Sequence, residues 1–175
     1  DPNDVTIAYA AGIDTIVYAF DRTTSKFAPL KSTGCPAAEE TAVFSDGSVY
    51  ITSSTSQDLY RWTAAAGCKS VRIGNRFPFA MGVAPKGTLS ATQEVLVGYD
   101  GADYVRVDTS TGDVAVVTAN ALGALRPSGD VTAIGTRGFL AAAQNTGAGA
   151  FACAAGGDCL VEVDLVTGKP VKFLK

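Results

Sequence analysis

Histidine is missing from all 175 residues of this chain, and that gap excludes more chemistry than any residue present suggests. Without an imidazole there is no Ser-His-Asp triad, no histidine general base and no His-ligated metal centre. Charge is sparse as well: charged residues make up 18 % of the chain, its formal net charge is −3, and Lys and Arg nowhere cluster. A nucleic-acid surface needs a basic stripe that displaces counterions, so nucleic acid is not an expected partner. No apolar run reaches the roughly 18–20 residues that span a bilayer as a helix. Tryptophan and methionine occur once each, and no Cys-x-x-Cys pair occurs. A chain that starts at Asp1 rather than Met reads as a processed or excised form.

What is present is apolar and rich in turns. Hydrophobic residues form 47 % of the chain and glycine occurs 19 times, enough for one domain with a substantial core. Strand signals are dense, and helical periodicity is almost absent. A short unit recurs, in which a strand-like run ends in an acidic or hydroxyl residue before a tight turn. Its copies are Tyr18–Asp21, Tyr60–Thr63, Val105–Asp108 and Val161–Asp164, with anchors 42, 45 and 56 residues apart. Two copies continue alike, as Asp108-Thr-Ser-Thr-Gly112 and Asp164-Leu-Val-Thr-Gly168.

A period of this size, filled with short strands, predicts the blades of a β-propeller. The expected class is all-β, with about four four-stranded antiparallel blades in a single domain spanning 1–175. The modules cover about 5–31, 41–73, 79–118 and 130–174. A sandwich of some fifteen strands would not produce the period. Glycine-bearing turns at Ser45–Ser48, Ala84–Gly87, Gly135–Gly138 and Tyr99–Ala102 fit the junctions. Cys35-Pro36, Phe77-Pro78 and Arg126-Pro127 suit crossings between modules, because proline offers no ladder donor. The first module lacks an innermost strand. Either the ring is a compact one with one short blade, or it belongs to a larger ring completed by another chain or by further residues.

Four cysteines are present, Cys35, Cys68, Cys153 and Cys159. An even count in a chain poor in Lys and without His reads as two disulfides and a non-cytosolic compartment: secreted, periplasmic or cell-surface. Cys153 and Cys159 flank the small-residue loop Ala-Ala-Gly-Gly-Asp, which a bridge would pin, leaving Cys35 with Cys68. Four reduced buried thiols are the other reading. Position 35 follows an outermost strand whereas position 68 begins one, which sets the two on opposite faces. Only a long crossing over Thr33–Glu40 would join them.

The run Ser45-Asp-Gly-Ser-Val-Tyr50, then Asp58–Trp62, Gly67-Cys68 and Phe79–Val83, resembles a group of uncharacterised secreted bacterial propeller proteins, some of them lipoproteins. The blades at Val107–Gly112 and Val163–Gly168 share the likeness, which covers roughly residues 15–174 through short, degenerate motifs. The resemblance implies an exported propeller and supports the Cys35–Cys68 pairing. It carries over no catalytic residue. Streptogramin-lyase-type propellers are more distantly similar but use a histidine, and quinoprotein blades repeat a Trp signature. This chain has no His and a single Trp, Trp62.

Three readings of function follow. In the first, the chain is a non-enzymatic module that binds or scaffolds a protein, peptide or glycan through channel-face loops, with no cofactor and no metal. Aromatic residues beside arginine are favoured at binding hot spots, which selects Arg76, Phe77, Phe79 and Arg126. Core packing between blades is the competing account of both rings, more so for Phe79. In the second, Glu39, Glu40 and Asp130 near a channel mouth make a carboxylate-dependent carbohydrate hydrolase or lyase. Solvated loop charge is the simpler account of those acids. The third is a structural role in which another chain completes the first module. Asp21, Asp108 and Asp164 are expected to cap turns through their own backbone rather than bind calcium, since no spaced Asp-x-Asp-x-Asp-Gly loop occurs.

Overall fold

A computed structural model describes residues 8–11, 15–21, 23–56, 58–73, 77–144 and 158–174. The described residues form fifteen strands in four antiparallel sheets and no helix. The first sheet holds β1 (Ala8–Ala11), β2 (Ile16–Asp21) and β3 (Lys26–Ser32). The second holds β4 (Ala38–Val43), β5 (Val49–Ser53), β6 (Leu59–Thr63) and β7 (Gly67–Arg72). The third holds β8 (Phe79–Ala84), β9 (Val95–Asp100), β10 (Asp103–Val107) and β11 (Val114–Thr118). The fourth holds β12 (Leu125–Ile134), β13 (Arg137–Gln144), β14 (Asp158–Asp164) and β15 (Pro170–Leu174). Strand order follows chain order in every sheet, so each module is a meander. The first sheet has three strands, as the sequence implied. By backbone contacts the chain divides into two compact units, Asp1–Asn75 and Arg76–Lys175.

The recurring anchors close the hairpins. Asp21 Oδ1 accepts from the Thr23 and Thr24 amides at 2.8 and 3.3 Å, and Asp108 Oδ1 from those of Ser110 and Thr111 at 2.8 and 3.1 Å. Asp164 Oδ1 does the same with Val166 and Thr167, at 2.7 and 3.1 Å. Thr63 Oγ1 accepts from the Ala66 amide at 3.1 Å. A side chain that satisfies turn donors this way fixes the register of the strands on either side.

In the second unit, the third and fourth sheets share one core. Val97, Tyr99 and Tyr104 pack with Leu140, Val161, Val163 and Leu165. Both tyrosines are fully buried, and each phenol needs a partner there. Tyr99 Oη donates to the Gly168 carbonyl at 2.8 Å, and Tyr104 Oη to the Leu165 carbonyl at 2.9 Å. Burial, with Asp164 nearby, pushes both phenols far above their ordinary value, so they remain neutral donors. Gly168 has φ +68°, and a Cβ there would fall inside the Tyr104 ring's contact radius. Glycine is required twice at that position, for backbone and for space.

In the first unit the disulfide joins Cys35 to Cys68, with Cα atoms 5.3 Å apart. The expected obstacle, two positions on opposite faces, is absent because the crossing runs through the core. Thr33 and Cys35 are buried, and Cys35 packs among Val17, Val49, Ile51 and Trp62 over the face of the second sheet. Thr33 anchors the segment: its amide donates to the Thr15 carbonyl at 2.7 Å, and its hydroxyl accepts from the Cys35 amide at 2.9 Å. Cys159 is also disulfide-bonded; Cys153 lies outside the described residues.

Replacing both Cys35 and Cys68 by alanine should lower unfolding free energy by about 3–4 kcal/mol in the chain-entropy model, read as a shifted midpoint in urea. Gly168→Ala should be more damaging than Tyr104→Phe. Leaving the Leu165 carbonyl without its donor costs about 1–3 kcal/mol, whereas the alanine adds backbone strain and a clash with the ring. Equal midpoints for the two variants would contradict this packing.

Candidate functional site

Ladder irregularities recur at the same place in the innermost strands. Register shifts fall between Ala38 and Glu40 in β4, Phe79 and Gly82 in β8, and Pro127 and Val131 in β12. A bulge of this kind re-aims the side chains beside it. In β8 it contains Ala80 at φ 57°, a left-handed conformation that costs a non-glycine residue about 1–2 kcal/mol. Ala80 is wholly buried, so the surrounding core holds it there. Gly82, just past the bulge, lies against β12: a Cβ at 82 would collide with the Val131 carbonyl oxygen. The two bulged strands thus lie side by side within the second unit.

This places the residues chosen from sequence. Phe79 opens β8, pairs with Tyr99 and leaves 40 % of its surface exposed. Arg126 is the second residue of β12, exposed, opposite Ala143. Both precede the bulge of their strand. Phe77 is only 7 % exposed, so its ring supports the segment instead of presenting itself. The expected order of the two rings is reversed, Phe79 being the exposed one. Arg76 lies outside the described residues. Arg126-Pro127, read from sequence as a crossing, lies inside β12, because the strand begins at Leu125 and absorbs the proline at its bulge.

The acids are placed differently from one another. Glu39 and Glu40 fall within β4, with Glu39 exposed and Glu40 buried. The Glu40 amide donates to Thr52 Oγ1 at 3.2 Å. Asp130 is exposed in β12. Asp58, not singled out from sequence, is buried, and Tyr60 Oη donates to its Oδ2 at 3.3 Å. Among the described residues no three potential metal ligands gather.

Sequence reasoning missed a second feature of the second unit. A groove of about 570 Å³ lies where β10 turns into β11, lined by Glu94, Arg106, Asp108, Asp113 and Ala115 among others. Its wall includes the connection 85–94 between β8 and β9, longer than the turns joining the corresponding strands elsewhere. The hydroxyl and amide of Ser110, then the Thr111 amide, hold the Asp108 carboxyl below its ordinary value, with a smaller contribution from Arg106. Thr24 and Thr23 do the same for Asp21, and Ser48 followed by Arg61 for Asp46.

Neither a family model nor a curated protein matches this chain. Solved structures do. TolB from Acinetobacter baumannii aligns with 91 % of this chain at 16 % identity and a TM-score of 0.53. The chain spans only 37 % of that protein. Hydrazine synthase from Kuenenia stuttgartiensis aligns at 13 % identity over 94 % of this chain and 47 % of its own, with a TM-score of 0.47. The nidogen/laminin complex aligns at 11 % identity over 99 % and 81 %, with a TM-score of 0.46. Identities this low speak to fold alone, and TolB carries that likeness. With four successive meander sheets, the chain is an all-β protein of the β-propeller type.

Depressed carboxyls fix a sign for the acid response. Asp21, Asp46 and Asp108 stabilise the fold in full above their unfolded value of 3.8, and the contribution is lost as pH falls through their lower folded values. Stability should therefore decline below about pH 4. In Asp108→Asn the decline should be shallower than in the parent, measured as melting temperature against pH.

Proposed function

We propose that this chain forms a single propeller domain acting as an exported, non-enzymatic binding or scaffolding module. It engages a protein, peptide or glycan through the bulged entrances of β8 and β12. The observation that carries this reading is Phe79. An aromatic ring at the start of a buried strand is left 40 % exposed beside a backbone distortion held in place by the core. Maintained strain of this kind is expected where a side chain must be presented. Arg126 on the neighbouring strand adds an exposed guanidinium, and the pairing of aromatic and arginine is characteristic of binding hot spots. Phe77 is buried two residues before Phe79, and Arg76 belongs to the same sequence run. A disulfide at Cys35–Cys68 and a second one at Cys159 favour a secreted, periplasmic or cell-surface setting. The three-stranded first sheet is where another chain or further residues would complete a ring.

The test is to pan a random peptide display library and a glycan microarray with the purified protein. Phe79→Ala/Arg126→Ala should then be compared with Lys26→Ala, a change on β3. The expected result is at least a tenfold loss of affinity for selected ligands in the double variant, with Lys26→Ala unchanged. The assignment is overturned if no selected ligand binds the double variant more weakly than the parent.

A further inference from the structure

Each outermost strand carries one extra residue, and the identities around it single out one sheet. The register jumps from Pro29 to Lys31 in β3, Ser70 to Arg72 in β7, Val116 to Thr118 in β11 and Pro170 to Lys172 in β15. An open edge invites pairing with another strand, and proteins block it with bulges, prolines and charges. Three edges have a cation after the bulge, and two have a proline before it. β11, with the sequence Val-Ala-Val-Val-Thr, has neither.

The ladder shows what this edge offers. The Asp108 amide donates to the Asp113 carbonyl at 2.8 Å, which marks that pair as the hydrogen-bonded one. Alternation along an antiparallel ladder then makes Val107–Val114 and Val105–Val116 non-bonded pairs. The N–H and C=O groups of Val114 and Val116 consequently point away from β10. Val116 is 57 % exposed. Between these two, Ala115 faces the groove described above, whose three carboxylates, Glu94, Asp108 and Asp113, outnumber Arg106.

We propose that the outer edge of β11 docks an extended peptide bearing a lysine or arginine, whose backbone extends the sheet while the cation enters the groove. Strand addition takes affinity from main-chain hydrogen bonds and specificity from pockets for alternate side chains. The peptide residue opposite Ala115 shares its face of the sheet, so its side chain projects toward the groove. Three carboxylates against one guanidinium give the lining a formal charge of −2, which selects a cationic residue. The same charge disfavours a second copy of β11, because pairing would bring two acidic grooves together.

The probe is a fluorescein-labelled peptide, Thr-Val-Lys-Val-Thr, followed by anisotropy at low salt, with Thr-Val-Glu-Val-Thr as its control. Val116→Pro removes only an outward donor, and β3 already carries Pro29 at the matching position: Pro29 faces Tyr18 as Val116 faces Val105, each three residues before the turn anchor. Thr118→Lys supplies the missing edge cation without altering the backbone. Saturable binding of the lysine peptide is expected, at least tenfold weaker for the glutamate peptide and for either variant. Melting curves should show both variants folded, and Lys26→Ala, a change on β3, should bind as the parent does. No saturable binding by the parent would overturn the proposal, as would parent-like binding by the two variants. A dimer seen by sedimentation that Val116→Pro abolishes, without peptide uptake, would assign the edge to a second copy and overturn it equally.

Discussion

A capped turn between the last two strands of a sheet is the constraint on which the second unit depends. One carboxylate oxygen of Asp164 gathers the Val166 and Thr167 amides, while the carbonyls of Leu165 and Gly168 remain available. Tyr104 and Tyr99 use those two carbonyls. The same few residues therefore set the hairpin register of the fourth sheet and orient the buried phenols of the third. Burial alone would hold the sheets together without specifying their alignment, since the hydrophobic effect is non-directional. Two hydrogen bonds to fixed carbonyls supply direction, and the missing side chain at Gly168 lets the ring approach.

Bulges apply the same economy at the other end of the strands. In β4, β8 and β12 the ladder slips near the start, which changes which side chains turn inward and which are presented. The strained Ala80 and the close approach of Gly82 to Val131 show that this irregularity is held by packing. The role proposed for Phe79 and Arg126 thus depends on the packing of buried residues beside them. At the outermost strands the slip instead limits how far an added strand could run, and β11 is the edge where composition leaves it open.

Much of the architecture was legible because its signals are local. The Asp and Thr anchors, the glycines after them and the spacing of 42 and 45 residues specify hairpins directly. The three-strand first module could also be read from the chain. What escaped depended on register and burial. Nothing about Arg126-Pro127 says that β12 absorbs it at a bulge, because a bulge is defined only against the partner strand. Phe77 and Phe79 have the same composition and opposite exposure, decided by which neighbour covers each ring. The path of the crossing at Cys35 escaped for a similar reason: strand order set positions 35 and 68 on opposite faces, yet Thr33 and its hydrogen bonds take the segment inside.

The Cys35–Cys68 bridge has a further consequence for durability. Between the two sulfurs the chain runs through β4, β5 and β6, so most of the second sheet lies within a covalent ring. A protease that cuts the connection between β4 and β5, or between β5 and β6, breaks a peptide bond without releasing a fragment. The nicked molecule keeps its mass, apart from one added water, until a reductant converts the disulfide to two thiols. For a protein in a compartment with proteases and without reductants, damage in this sheet leaves the pieces tethered where they can re-pair.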